Sequence, residues 1–132
     1  MRAVDTNVLV RYMAADEPQQ TRLAEHFIES CTRQQETVFI PVLVLCELVW
    51  VLERSYRNSK AGILAALDQI IETDLFAIEN DSLVRRSIEE YRTGKGSFAD
   101  YLIGNVAKHA GCSDTVTFDR ALAGAPGFTL LR

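Results

Sequence analysis

Asp5, Glu47, Asp100 and Asp119 are the residues of this chain whose type and placement could do chemistry. Asp5 closes the short apolar run Ala3-Val4 and is followed at once by Thr6 and Asn7. A charge at the end of a strand is costly to bury unless something pairs with it. Glu47 interrupts LVLCELVWVLERSY (43–56), a stretch apolar nearly all round its helical circumference. An acid in such a helix rarely stands without a partner. Asp100 lies in the first turn of a helix opened by Ser97, and Asp119 directly follows TVTF (115–118). Grouped carboxylates repel one another and resist ionisation. Hard divalent cations remove that difficulty, because Mg²⁺ or Mn²⁺ takes a few carboxylates together with waters and phosphate oxygens. The chemistry open to these four residues is therefore that of a divalent-metal site.

Positioning them requires alternating elements. Short β-like runs at Ala3–Asp5, TVFI (37–40), LFAI (75–78), TVTF (115–118) and FTLL (128–131) are separated by helical stretches. A short helix runs from Asn7 toward Met13; Asp16 with Gln19 reads as a capping box, with Pro18 in the first turn. The following helix places Leu23, Ala24, Phe27, Ile28 and Cys31 on one face. Ser59 caps a helix with Ile63, Leu64, Leu67, Ile70 and Ile71 on one stripe, and Asp81 starts a helix ending near Gly94. Ser97 opens another, with Ala99, Leu102, Ile103, Val106, Ala107 and Ala110 inward and Gly111 as its stop. Strands alternating with helices predict an α/β fold with a mainly parallel sheet covered on both faces. Function in such sheets gathers at the carboxyl ends of the strands. Asp5 and Asp119 end strands one and four, and the first turns of the helices bearing Glu47 and Asp100 are expected near the same edge.

Each acid has a plainer account. Asp5 can be a helix N-cap, Asp100 completes a Ser97-x-x-Asp100 capping box, and Asp119 can cap a short helix over 120–123. Only Glu47 resists such a role, and four caps aimed at one edge are a less economical account than one metal site. Other chemistries are poorly represented. His26 and His109 are isolated, and no GxSxG elbow or nucleophilic Cys–His signature occurs. TGKGS (93–97) lacks the upstream glycine of a P-loop and follows a helix, so it reads as an inter-helix turn. Asp5-Thr6-Asn7 lacks the second Asp of the Asp-x-Asp phosphatases, position 7 being Asn.

The composition bounds these readings. With 132 residues, 48% of them hydrophobic, the chain suits one compact domain over residues 1–132. A net charge of −4 supplies no global basic field for nucleic acid, although bound cations or local patches can hold phosphates. Cys31, Cys46 and Cys112 are odd in number and widely spaced, which fits a reduced, cytoplasmic chain. Asp5 falls where the apolar core of a signal peptide would lie, and the Val38–Leu52 run is shorter than the ~20 residues of a membrane span. No membrane association is expected.

Taken in order, AVDTNVLVRY, CELVWVL, GSFADYLIGNVAKHAG and TFDRAL resemble the PIN-domain ribonucleases, most closely the VapC toxins of type II toxin–antitoxin modules. The resemblance covers essentially the whole chain. It implies a three-layer α/β/α fold with a central, mainly parallel sheet of four to five strands. It also implies a Mg²⁺- or Mn²⁺-dependent endoribonuclease, a homodimer, and inhibition by a cognate VapB-type antitoxin. Asp5, Glu47, Asp100 and Asp119 match the acidic metal-binding set, while Thr6, Asn7 and Thr117 match its polar neighbours. The reaction implied is hydrolysis of an RNA phosphodiester. Arg11, Arg54, Arg57, Arg85, Arg86, Arg92 and Lys95 are the candidate phosphate contacts. Two competing readings are a metal-dependent phosphatase and a non-catalytic dimeric interaction module that binds through the apolar 43–52 helix.

Overall fold

The computed structural model describes residues 1–132, organised as two compact units, Met1–Asn80 and Asp81–Arg132. The first contains β1 (Arg2–Ala3), α1 (Thr6–Ala14), α2 (Pro18–Arg33), β2 (Val38–Ile40), α3 (Val42–Arg54), α4 (Lys60–Glu72) and β3 (Phe76–Ile78). Its strands form a parallel sheet in the order β1-β2-β3, with Ala3 opposite Phe39 and Ile40 opposite Ile78. Parallel neighbours demand a crossover, supplied here by α1 and α2 and then by α3 and α4.

The second unit contains α5 (Asp81–Thr93), α6 (Phe98–His109), β4 (Thr115–Thr117), a 3-10 turn (Arg120–Leu122) and β5 (Phe128–Leu130). Here β4 and β5 pair in parallel, Thr115 opposite Phe128. The α/β class and the parallel pairing follow the sequence pattern. The five strands are divided, however, between a three-stranded and a two-stranded sheet rather than forming one continuous sheet.

Strands this short owe their place to apolar side chains more than to ladder bonds. Val38 and Ile40 are fully buried, as are Leu45 and Leu48 of α3 and Ile63, Leu67 and Ile70 of α4. Each such side chain contributes about 1.5–3 kcal/mol by leaving water. α4 follows its expected stripe and is capped by Ser59, whose Oγ accepts from Gly62 N at 3.2 Å. Gly111 ends the α6 segment with φ +97°, a conformation that favours glycine.

Three helix readings need correction. The N-cap of α2 is Glu17, which accepts from the Gln19 and Gln20 amides, and not Asp16. Pro18 sits at the first helical position, which fixes the cap one residue later; Asp16 instead pairs with Arg11 at 3.8 Å. The inward stripe of α2 is Thr21, Ala24, Ile28 and Cys31, leaving Leu23 exposed. In α6 the buried residues are Phe98, Tyr101, Leu102 and Asn105, whereas Ile103 and Val106 are exposed. The inward stripe there is turned toward the residue before the expected one because α6 packs on α5, where Asn105 Nδ2 donates to Ser87 Oγ (2.9 Å) and Glu90 Oε1 (2.6 Å).

Candidate active site

Local chain chemistry places Asp5 first. The backbone at Asp5 is extended and its Oδ1 accepts from Val8 N at 3.1 Å, so it is the N-cap of α1. Thr6 is then the first residue of that helix, and its hydroxyl donates to Glu47 Oε1 at 3.2 Å. Forty-one positions apart in sequence, the two are brought together by α1 lying against α3. Asp5 and Asn7 are exposed and Thr6 is half-buried. A groove of about 540 Å³ runs past Asp5 and Asn7, with Arg2, Arg11, Leu23 and Phe27 also lining it.

Glu47 departs from the sequence reading in one respect. Helix α3 is not buried all round: Val44, Leu45, Leu48, Val49 and Leu52 face the core, while Leu43, Glu47 and Trp50 stand on an exposed stripe. Glu47 therefore meets water and Thr6 together, so its charge needs no buried counter-ion. Beside it, burial and the neighbouring Glu47 carboxylate push the Cys46 thiol up from its ordinary value. A thiol held protonated is a poor nucleophile, in line with the absence of a Cys–His signature.

In the second unit Asp100 completes the expected capping box. Its Oδ2 accepts from Ser97 N at 2.9 Å, and Ser97 Oγ accepts from Asp100 N at 3.1 Å. Asp119 caps the 3-10 turn through Ala121 N at 2.9 Å, while its own amide donates to Thr117 Oγ1 at 3.0 Å. Thr117 thus holds the backbone at Asp119, as a polar neighbour of a functional acid would. A carboxylate that caps with one oxygen keeps lone pairs for another partner.

The donors are all oxygen, the set that hard Mg²⁺ and Mn²⁺ ions take. No three His, Cys, Asp or Glu side chains are grouped closely enough to hold a metal between them. Mg²⁺ does not need such a cage, since one or two carboxylates, waters and substrate phosphate complete its shell. The donor chemistry fits the cation on that footing. His26 and His109 are both exposed and take no part.

The candidate phosphate contacts are unequal. Arg11 is half-buried, with Nε donating to Gln20 Oε1 (2.6 Å) and a terminal nitrogen to the Tyr56 hydroxyl (3.3 Å). Arg11 and these two partners come from three segments, which no local spacing reveals. Arg85 pairs with Asp81 at 2.9 Å and Arg92 with Glu89 at 3.3 Å, both exposed helix pairs of small energetic consequence. Arg54 lies over the Trp50 ring at 5.4 Å, and Arg57, Arg86 and Lys95 are exposed.

The PIN domain family model matches residues 2–127. The chain belongs to the PIN-domain family. Among curated proteins, this PIN domain is 31% identical over 120 residues to the VapC ribonuclease of Aquifex aeolicus, covering 91% of this chain and 88% of that protein. Among solved structures it is similar to the crystal structure of VapC20 of Mycobacterium tuberculosis, a sarcin–ricin-loop-cleaving toxin. That likeness covers 96% of each chain at 18% identity and a TM-score of 0.45. No helix of the PIN domain is long and apolar enough to cross a membrane.

Proposed function

We propose that residues 1–132 act as one PIN domain that hydrolyses RNA phosphodiester bonds, the toxin of a VapBC-like pair. The observation that carries this reading is the 31% identity, over nearly the whole of both chains, with a VapC ribonuclease. The Thr6–Glu47 hydrogen bond beside the α1-capping Asp5 supports it from the site itself.

In this reading Asp5, Glu47, Asp100 and Asp119 are the acids assigned to Mg²⁺ or Mn²⁺, each serving as one of the few carboxylates the ion takes beside waters and phosphate oxygens. When bound, the cation would polarise a phosphate oxygen and lower the pKa of water, so that hydroxide is available as the nucleophile near neutral pH. The protein's own share is orientation. Asp5 is fixed by the start of α1, Glu47 is held by Thr6, and Asp119 by Thr117. Asn7, exposed one residue into α1, is available to hydrogen-bond a phosphate oxygen or a water. Arg11, Arg54, Arg57, Arg92 and Lys95 contribute cationic side chains to RNA binding.

The active species is a homodimer, restrained by a VapB-type antitoxin. Leu43 and Trp50, exposed on α3, supply apolar surface for such association. Light scattering of the purified chain is expected to give twice its 14.8 kDa mass. The decisive test is cleavage of total RNA by the purified protein with EDTA, Mg²⁺ or Mn²⁺. Cleavage that needs the cation and disappears in Glu47→Gln supports the reading; cation-independent cleavage, or none by the wild type under any condition, overturns it.

A further inference from the structure

We infer that Glu79 is a positioning residue for Glu47, clamping the junction between β2 and α3. Helix α3 begins without a cap of its own, because its N-cap is Pro41, which has no side-chain acceptor. The Pro41 carbonyl takes the amides of Val44 (3.0 Å) and Leu45 (3.3 Å), which leaves the Val42 amide to be satisfied from elsewhere. Glu79 Oε1 accepts from it at 2.8 Å across 37 positions of sequence. The Glu79 amide meanwhile donates to the Ile40 carbonyl at 3.0 Å. One residue at the end of β3 therefore grips the last residue of β2 with its backbone and the first residue of α3 with its side chain.

A carboxylate at that place does more than a neutral cap. It meets the positive end of the α3 dipole, and its bond to the amide is charge-assisted. The fit also depends on chain length. Glu79 is half-buried and reaches α3 from a neighbouring strand, so a shorter side chain would not span the gap. Helix α3 carries Glu47 just over one turn beyond Val42, where it meets Thr6. A start of α3 that frays or pivots carries Glu47 away from the first turn of α1. Displacements of about 1 Å at a reacting centre cost up to about a hundredfold in rate. The inference rests on the proposed role of Glu47 in RNA hydrolysis.

The experiment compares wild type with Glu79→Ala, Glu79→Asp, Glu79→Gln, Ser59→Ala and Glu47→Gln as full-length proteins. It reads Mn²⁺-dependent cleavage of an RNA substrate as kcat and KM, and hydrogen exchange of the Val42 amide by NMR. Glu79→Ala and Glu79→Asp are expected to speed Val42 exchange about fivefold, as loss of a cap does. They are also expected to lower kcat by about tenfold or more with little change in KM, as lost positioning does. Glu79→Gln keeps an acceptor of the same reach but not the charge, and should restore most of both. Ser59→Ala removes a comparable cap from α4 and should lower thermal stability without changing kcat. Glu79→Asp keeps the measurement available if Glu79→Ala does not fold. Unchanged Val42 exchange, or full kcat in Glu79→Ala and Glu79→Asp while Glu47→Gln is inactive, overturns the positioning role alone. Full activity in Glu47→Gln overturns the reading of the acidic set, and the role of Glu79 with it.

Discussion

The Thr6 hydroxyl donates to Glu47 Oε1 at 3.2 Å, which links the residue following Asp5 to an acid 41 positions away. This one bond ties the first turn of α1 to the second turn of α3. Thr6 cannot be replaced by an apolar residue without freeing Glu47 to rotate toward water. Hydrogen bonds to charged groups are worth about 1.5–3 kcal/mol, equivalent to about tenfold or more in a rate they control. Thr6→Ala is therefore expected to lower kcat for RNA cleavage by about tenfold, and Thr6→Ser to recover most of it. Equal rates in Thr6→Ala and wild type would leave the bond without a role in the reaction.

Substitution can separate the N-cap role of Asp5 from the catalytic role proposed for it. As an N-cap it accepts from Val8 N, and Asn performs that task nearly as well as Asp. Asp5→Asn should thus melt within a degree or two of wild type, while abolishing cleavage and relieving growth arrest on expression. Asp5→Ala should lose activity and about 1 kcal/mol of stability together. Melting curves and a growth assay at matched protein level check both; an Asp5→Asn protein that remains toxic would remove Asp5 from the acidic set.

The Cys46 thiol supplies a pH dependence whose sign is fixed by the direction of its shift. Burial, then the Glu47 carboxylate, raise it above its ordinary value of 9.0. In the pH range between the unfolded and folded values, the native state holds a proton that the unfolded chain has lost. Its contribution to stability is complete below about pH 9 and declines as the pH rises beyond that. Urea denaturation between pH 8 and pH 10.5 should show this decline, and Cys46→Ala should flatten it. At neutral pH iodoacetamide should modify exposed Cys112 well before half-buried Cys46. Faster modification of Cys46 would contradict the assignment.

Gly104 sets helix propensity against packing. Replacing a mid-helix glycine by alanine ordinarily stabilises by about 1 kcal/mol. Here a Cβ would lie 2.7 Å from Phe128 Cζ and 3.0 Å from Cε2. The Phe128 ring is itself held edge-on by Tyr101, with centroids 6.4 Å apart, so it cannot swing away freely. Overpacking of this kind costs about 1–3 kcal/mol. Gly104→Ala is expected to lower the melting temperature on balance, and a rise would show that Phe128 yields.

The sequence by itself determined the kind of element at each place and the acids worth attention. Periodicity and end signals suffice for this, because helix stripes, Ser59, Ser97 and Gly111 act within a few residues of themselves. They also exposed the capping roles of Asp5, Asp100 and Asp119, which depend on bonds spanning two or three positions. The Asp16–Gln19 spacing misplaced the cap of α2 by one residue, since Pro18 as first helical residue makes Glu17 the cap. What only the tertiary structure decided were relations between distant segments. Among them are the Thr6–Glu47 bond, the Glu79 clamp on Val42, the Arg11 ties to Gln20 and Tyr56, and the Asn105 bridge from α6 to α5. The burial of α3 was likewise undecided, because an apolar circumference does not say which arc meets the core; packing left Leu43, Glu47 and Trp50 outward. Local signals follow from backbone geometry over one turn, whereas these contacts depend on which helix faces the sheet leaves adjacent.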